Sequence, residues 1–163
     1  AGNLVVGSKM DSGDEQHWNI IQISPGVTMQ FQDGKIVASG GAWGHAAVYQ
    51  AIQVEAGRKY NVDLEVSGSG ATETWFEVYV GKLQPQNGSD YSDGGIRIAL
   101  NTWNGCGVSA FNGRLSDLSC GGSGQTYEAT ESGTVYLLIK TGGASLGETG
   151  IAIDNVEFRG TTD

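Results

Sequence analysis

Charge is scarce in this sequence. Only 17% of its 163 residues are Asp, Glu, Lys or Arg, against roughly 25% in an average soluble protein. Cationic charge is scarcer still: 9 Lys and Arg face 18 Asp and Glu, for a formal net charge of −9. A chain this acidic, with no basic cluster, repels phosphate backbones and anionic lipid, which argues against nucleic acid or a membrane as partner. No apolar run approaches the ~18 residues that span a bilayer. No basic segment followed by an apolar one opens the chain, so the route of export is left open. There is no P-loop, dinucleotide fingerprint, HExxH motif or ordered nucleophile-elbow triad. The two histidines, His17 and His45, are expected at the surface or at strand ends. Acidic residues concentrate in turn-like stretches, 11–15 and 90–93, where they solvate a loop or bind a cation rather than form the paired carboxylates of a glycosidase.

Cysteine is limited to Cys106 and Cys120, with no CxxC and no histidine nearby, which argues against metal or redox use. A disulfide closing the 106–120 loop is expected; in the chain-entropy view it contributes about 3 kcal/mol and implies an oxidising, secreted setting. The alternative is two free buried thiols in the cytosol.

Glycine is the excess: 27 residues, with only 2 prolines. Without a Gly-X-Y period this is not collagen, and so much glycine breaks helices. Apolar β-branched and aromatic runs recur between the glycine clusters, which argues against disorder. The alternation of Tyr60, Val62, Leu64 and Val66 against Asn61, Asp63 and Glu65 predicts a strand over 59–67 with one wet face. Strands are likewise expected at 17–23, 28–32, 35–39, 46–54, 74–81, 95–101, 134–140 and 151–158, the last with a phase slip near Asp154 that reads as a bulge. Asx-Gly pairs at 33–34, 87–88, 104–105 and 112–113 predict turns with positive φ. The stretch 102–126 reads as a long loop pinned by its cysteines. A single domain over 1–163 follows, all-β: a jelly-roll β-sandwich of two antiparallel sheets.

Two strands could carry a binding face. In 74–81, Phe76, Val78 and Val80 form an apolar face, and Trp75, Glu77 and Tyr79 form the other. In 96–101, Ile96, Ile98 and Leu100 face the core while Arg97, Ala99 and Asn101 face away, with Trp103 at the same parity. Aromatic rings interleaved with carboxylate, amide and guanidinium groups suit a sugar, whose C–H faces stack and whose hydroxyls hydrogen-bond. Trp43, among glycines, is a further candidate stacking residue; Trp18 is expected in the core. The competing arrangement buries Trp75 and Tyr79 under a loop or the second sheet and pairs Arg97 with Glu77.

The segments NLVVGSKMD (3–11), VEAGRKY (54–60) and IAIDNVEF (151–158) together resemble the galactose-binding-like jelly rolls of carbohydrate-binding modules, especially families 4, 16 and 22. The opening departs from the family pattern, with Met10 in place of Phe and Asp11 in place of Glu. The resemblance implies a structural calcium ion where the first segment, the middle turn and the last strand meet. Its ligands would be the carbonyls of Lys9, Glu55 and Arg58 and the carboxylates of Asp11 and Asp154. It also implies non-catalytic polysaccharide binding by a secreted, monomeric module that holds a glycoside hydrolase or lyase on its glycan. Trp75, Tyr79, Trp103 and Trp43 would stack on that glycan, and Glu77, Arg97 and Asn101 would hydrogen-bond to it. The ligand class is open among β-glucan, xylan, mannan and marine glycans. A structural or adhesion sandwich with no sugar site, and a small glycan-cleaving enzyme, are the two competing functions.

Overall fold

The computed structural model describes residues 1–103 and 110–162. It is 58% strand and 5% helix. A 3₁₀ turn at Asp14–His17 precedes β1 (Asn19–Ser24), β2 (Val27–Gln32), β3 (Lys35–Val54), β4 (Lys59–Ser69), β5 (Thr72–Gly81), β6 (Ile96–Asn101) and β7 (Ala110–Arg114). A one-turn helix, α1 (Leu115–Leu118), then leads to β8 (Thr126–Glu128), β9 (Gly133–Ser145) and β10 (Ile151–Gly160). All pairings are antiparallel.

The strands form two sheets that share β3. Its first part lies between β2 and β10 in sheet A, which continues through β4 to β7 and β8. Its remainder lies between β1 and β9 in sheet B, which continues through β5 to β6. The sequence predicts two strands here, 35–39 and 46–54; the structure has one of 20 residues. Glycines make the crossing feasible. A Cβ on Gly41 would stand 2.1 Å from the Ala144 carbonyl oxygen, and one on Gly44 would stand 2.2 Å from that of Pro25. The Gly-rich segment is therefore a site of close backbone approach rather than a chain break.

The core is what alternation predicts. Val62, Leu64 and Val66 of β4 and Ile153, Val156 and Phe158 of β10 belong to one buried cluster with Phe76, Val78 and Val80 of β5 and Val135, Leu137 and Ile139 of β9. Trp18 is buried, its indole N–H donating to the Gly7 carbonyl at 3.0 Å. Asp33 and Gly34 (φ 52° and 75°) make the two-residue turn between β2 and β3, as an Asx-Gly pair does in a type I′ hairpin. The slip in the last strand is a register shift between Asp154 and Glu157.

Three further expectations fail. Asn112-Gly113 is not a turn but lies within β7, opposite Ser67 and Val66. The stretch 102–126 carries β7, α1 and the start of β8 rather than one loop. Asp63 is not on a wet face. It is 4% exposed and accepts hydrogen bonds from Arg114 Nε (3.0 Å), from the Ser116 backbone N–H (3.0 Å) and from the Ser116 hydroxyl (2.5 Å). Both partners lie at or beside α1, which alternation within β4 alone could not reveal. Asn104-Gly105 and Cys106 lie outside the described residues.

Candidate functional site: the outer face of sheet B

Trp75, Glu77 and Tyr79 do project from the side of β5 opposite the core, but the face they share is divided. Across the strands, register aligns His45 (β3), Gly142 (β9), Trp75 (β5) and Asn101 (β6) in one row. The next row is Ala47, Lys140, Glu77 and Ala99, and beyond it come Tyr49, Leu138, Tyr79 and Ile96.

The third row is closed. Tyr79, Tyr49 and Leu138 are buried with Ile21, Ala47 and Tyr91 in a second small core outside the sandwich. Tyr91 comes from the connection between β5 and β6, and its ring meets Tyr79 edge-on at 6.3 Å. That connection is anchored on β1, where Asn87 Oδ1 accepts from Gln22 N–H at 2.8 Å and Gly88 N–H donates to the Gln22 carbonyl at 2.7 Å. Tyr79, 4% exposed, is therefore not a stacking surface. Its hydroxyl donates to Glu77 at 2.7 Å. Burial, that hydrogen bond, and the charges of Glu77 and Asp90 hold its ionisation far above the ordinary tyrosine range.

The second row holds an ion cluster around the buried Lys140, with Glu77 partly and Asp90 largely exposed. Lys140 Nζ lies 2.9 Å from Asp90 Oδ1, 2.9 Å from the Tyr91 carbonyl, 3.7 Å from Glu77 Oε1, and 4.8 Å from the Tyr79 ring centre. Burial works against the ionised Asp90, yet the hydrogen bonds from Lys140 and the Tyr91 N–H, with the charges of Lys140 and His45, hold its carboxyl below the usual range. His45 Nδ1 stands 3.9 Å from the same carboxylate.

The first row is open. A Cβ on Gly142 would lie 2.8 Å from Trp75 Cζ2, so the indole occupies the space that this glycine leaves on the sheet. His45 meets it edge-on, with centroids 5.8 Å apart. Trp75 is half-buried, braced by sheet and imidazole, with Glu77 one row away and Asn101 beside it. Asn101 Oδ1 accepts from the Trp103 N–H at 3.1 Å, and Trp103 stands 57% exposed just past β6. Trp43, 59% exposed, lies in the β3 bulge opposite Gly143–Ser145, at the same end of sheet B. Strand spacing of ~4.8 Å makes the row from His45 to Asn101 about 14 Å across.

Arg97 does not join this face. The ladder shifts between Val78 and Tyr79, so Ile96, not Arg97, comes opposite Tyr79 and lies against the second small core. Arg97 instead donates to the Thr126 carbonyl (3.0 Å) and the Ser123 hydroxyl and lies over Tyr127 at 5.8 Å. Sequence reasoning missed His45, Asp90, Tyr91, Lys140 and Gly142. Lys140 was findable, since it shares the non-core parity of β9 with Tyr136 and Leu138. Asp90 and Tyr91 carry no periodic signal.

The five residues assigned to calcium are not gathered. Glu55 and Arg58 form the turn before β4, where the Glu55 carbonyl accepts from Arg58 N–H and the Arg58 carbonyl accepts from Ala129 N–H. Asp154 pairs with Glu65, seven residues beyond Arg58, which at ~3.3 Å per residue is about 23 Å away. Ser8, whose carbonyl accepts from Val156 N–H, brings Lys9 and Asp11 toward the Asp154 bulge instead. Burial, then Glu65 and Asp11, raise the Asp154 carboxyl above its usual range. Among the described residues no group of three or more His, Cys, Asp or Glu side chains is arranged to hold a metal ion. The set of five does not fit one coordination sphere; Lys9, Asp11 and Asp154 alone lie on a common side.

No family model matches the sequence, and no curated protein matches it. Solved structures do match. TmCBM61, determined with β-1,4-galactotriose, superposes with TM-score 0.53 at 12% identity, over 97% of this chain and 98% of that one. The CBM22-1 xylan-binding domain of Paenibacillus barcinonensis Xyn10C gives 0.51 at 12% identity, over 96% and 93%. The MgGH51 α-L-arabinofuranosidase gives 0.60 at 10% identity, over 99% of this chain but 27% of that one. The chain spans only 21% to 27% of three of the longer chains it matches. The chain shares the β-sandwich fold of these structures, carbohydrate-binding modules among them.

Proposed function

From that fold, we propose that this protein binds polysaccharide without cleaving it, on the open half of the outer face of sheet B. The supporting observation is Trp75, laid over Gly142 and braced by His45, with Glu77 and Asn101 within reach of a ring stacked on it. An indole held in this way has already lost its rotamer freedom, so stacking costs little further ordering. Trp103 and Trp43 extend the aromatic surface at the same end of the sheet. Asp90 and Glu77 supply acceptors for hydroxyls. The structural neighbours' xylan and galactotriose make a neutral glycan the first class to test. The same proposal includes a role as a module tethering a glycan-active enzyme, a secreted setting, and a Cys106–Cys120 disulfide.

Affinity electrophoresis over a panel of soluble β-glucan, xylan, mannan, galactan and marine polysaccharides tests it. Retardation by at least one glycan is expected, with affinity falling roughly tenfold or more in Trp75→Ala, as for a central aromatic anchor. Retention on no glycan would favour an adhesion or structural role. Release of reducing ends would favour an enzyme.

A further inference from the structure

A second concavity lies at the opposite end of β5. It has a volume of about 390 Å³ and is bounded by the strand end at Val80–Gly81, the Lys82–Leu83 rim, Asp93–Gly94, and the β8 region at Tyr127–Thr130. Gly81 is six residues from Trp75, so at ~3.3 Å per residue the two places are about 20 Å apart. Leu83 is the anomaly there. It is the most exposed of the large apolar side chains described, at 66%, yet its backbone is held firmly. Asp93 Oδ2 accepts the N–H groups of Lys82 (2.7 Å) and Leu83 (3.0 Å), and the Tyr91 hydroxyl donates to the Leu83 carbonyl (2.7 Å). Lys82 is tied across the rim to Thr130 (2.9 Å) and Glu131 (3.1 Å). An exposed leucine on a braced rim is a preformed apolar wall rather than a loose loop tip.

We infer that this concavity is a second saccharide site, which takes a single terminal pyranose ring. Its volume is at the lower end for small-ligand sites. Leu83 and Tyr127 offer carbon surface to the C–H face of a sugar, while Asp93, Glu128 and Thr130 offer hydroxyl partners at the margin. An extended chain is the wrong ligand here, because the tie from Lys82 to Glu131 spans the rim. Chain ends would bind this site while chain interiors bind the Trp75 face. One module could then hold two glycan segments, with the avidity that follows.

The test is a titration of methyl-labelled protein with D-xylose, D-galactose, D-glucose and D-mannose, read at the Leu83 methyl resonances. A saturable shift with at least one sugar is expected, at equal midpoint in wild type and Trp75→Ala; in Leu83→Asp, which has no Leu83 methyl, the reading is taken at the Val80 methyls that also line the concavity, and the shift seen there in wild type is lost. Leu83 methyls that move with none of the four sugars overturn the site. So does a shift that vanishes in Trp75→Ala, which would assign the effect to the sheet face. Failure of polysaccharide retention, by contrast, bears on the sheet B proposal alone.

Discussion

Removing the Asp63 carboxylate should be the most damaging single polar change outside the apolar core. Asp63 sits in the middle of β4, its side chain 6% exposed. Besides the Arg114 and Ser116 contacts it accepts the Leu64 N–H at 2.9 Å and Gln125 Nε2 at 3.5 Å. Arg114 keeps Glu157 on its other side, 2.5 Å from its Nη2. Burial works against the Arg114 charge, but Asp63 and then Glu157 more than offset it, raising the guanidinium's pKa. Arg114 is 35% exposed and keeps Glu157, so the cost is that of the buried donors left without an acceptor, about 3 kcal/mol, which for a chain of this size lowers Tm by about 6–12 °C. Asp63→Asn keeps the shape but loses the charge-assisted bonds, and should cost about 2 kcal/mol. Thermal unfolding of Asp63→Ala, Arg114→Met and the double variant checks this, together with hydrogen exchange at the Ser119 amide, which donates to the Leu115 carbonyl at the end of α1. The Ser119 amide should exchange faster in Asp63→Ala, because Ser116 loses its tether to β4. A loss below about 1 kcal/mol, or single-variant losses that simply add, would refute the reasoning.

Alkaline pH should expose the second small core. Tyr79 and Tyr91 are both held above the ordinary tyrosine value by burial, then by Glu77 for the first and Asp93 for the second. An unfolded chain would ionise them near pH ~10, so their contribution to stability is complete below that pH and is lost as pH rises through their folded values. Phenolate absorbance should show these two titrating last and only with unfolding; early titration of all six tyrosines would count against a closed third row. Calcium, if held by Lys9, Asp11 and Asp154, should raise Tm reversibly, and excess EDTA should lower it in wild type but not in Asp154→Ala; a Tm indifferent to EDTA rules out a structural ion at these residues.

What the sequence made legible was whatever alternation encodes. The inward faces of β4, β5, β9 and β10, the slip at Asp154 and the turn at Asp33-Gly34 are all local signals, and each is realised. Arg97 was misread because its parity depends on a ladder shift between Val78 and Tyr79, which two strands create together. Tyr79 was misread because the segment that covers it is irregular and carries no period. The Gly-Gly-Ala-Trp-Gly stretch suggested an interruption, since glycine tolerates both a turn and a close strand crossing; only the neighbouring carbonyls of Pro25 and Ala144 distinguish the two. The calcium set joined segments alike in sequence pattern that β4 holds apart by most of its length.

Because β3 is hydrogen-bonded into both sheets, the two layers have no independent existence. Lifting both β10 and β2 away frees residues 35–40 of a strand that from His45 on is still clamped between β1 and β9. Opening of one layer therefore reaches the other through a continuous strand, and melting should proceed as one cooperative event. The amides slowest to exchange with solvent should lie in β3, on both sides of the crossing. A glycan seated on His45, at the start of the sheet B half, would then tighten sheet A as well.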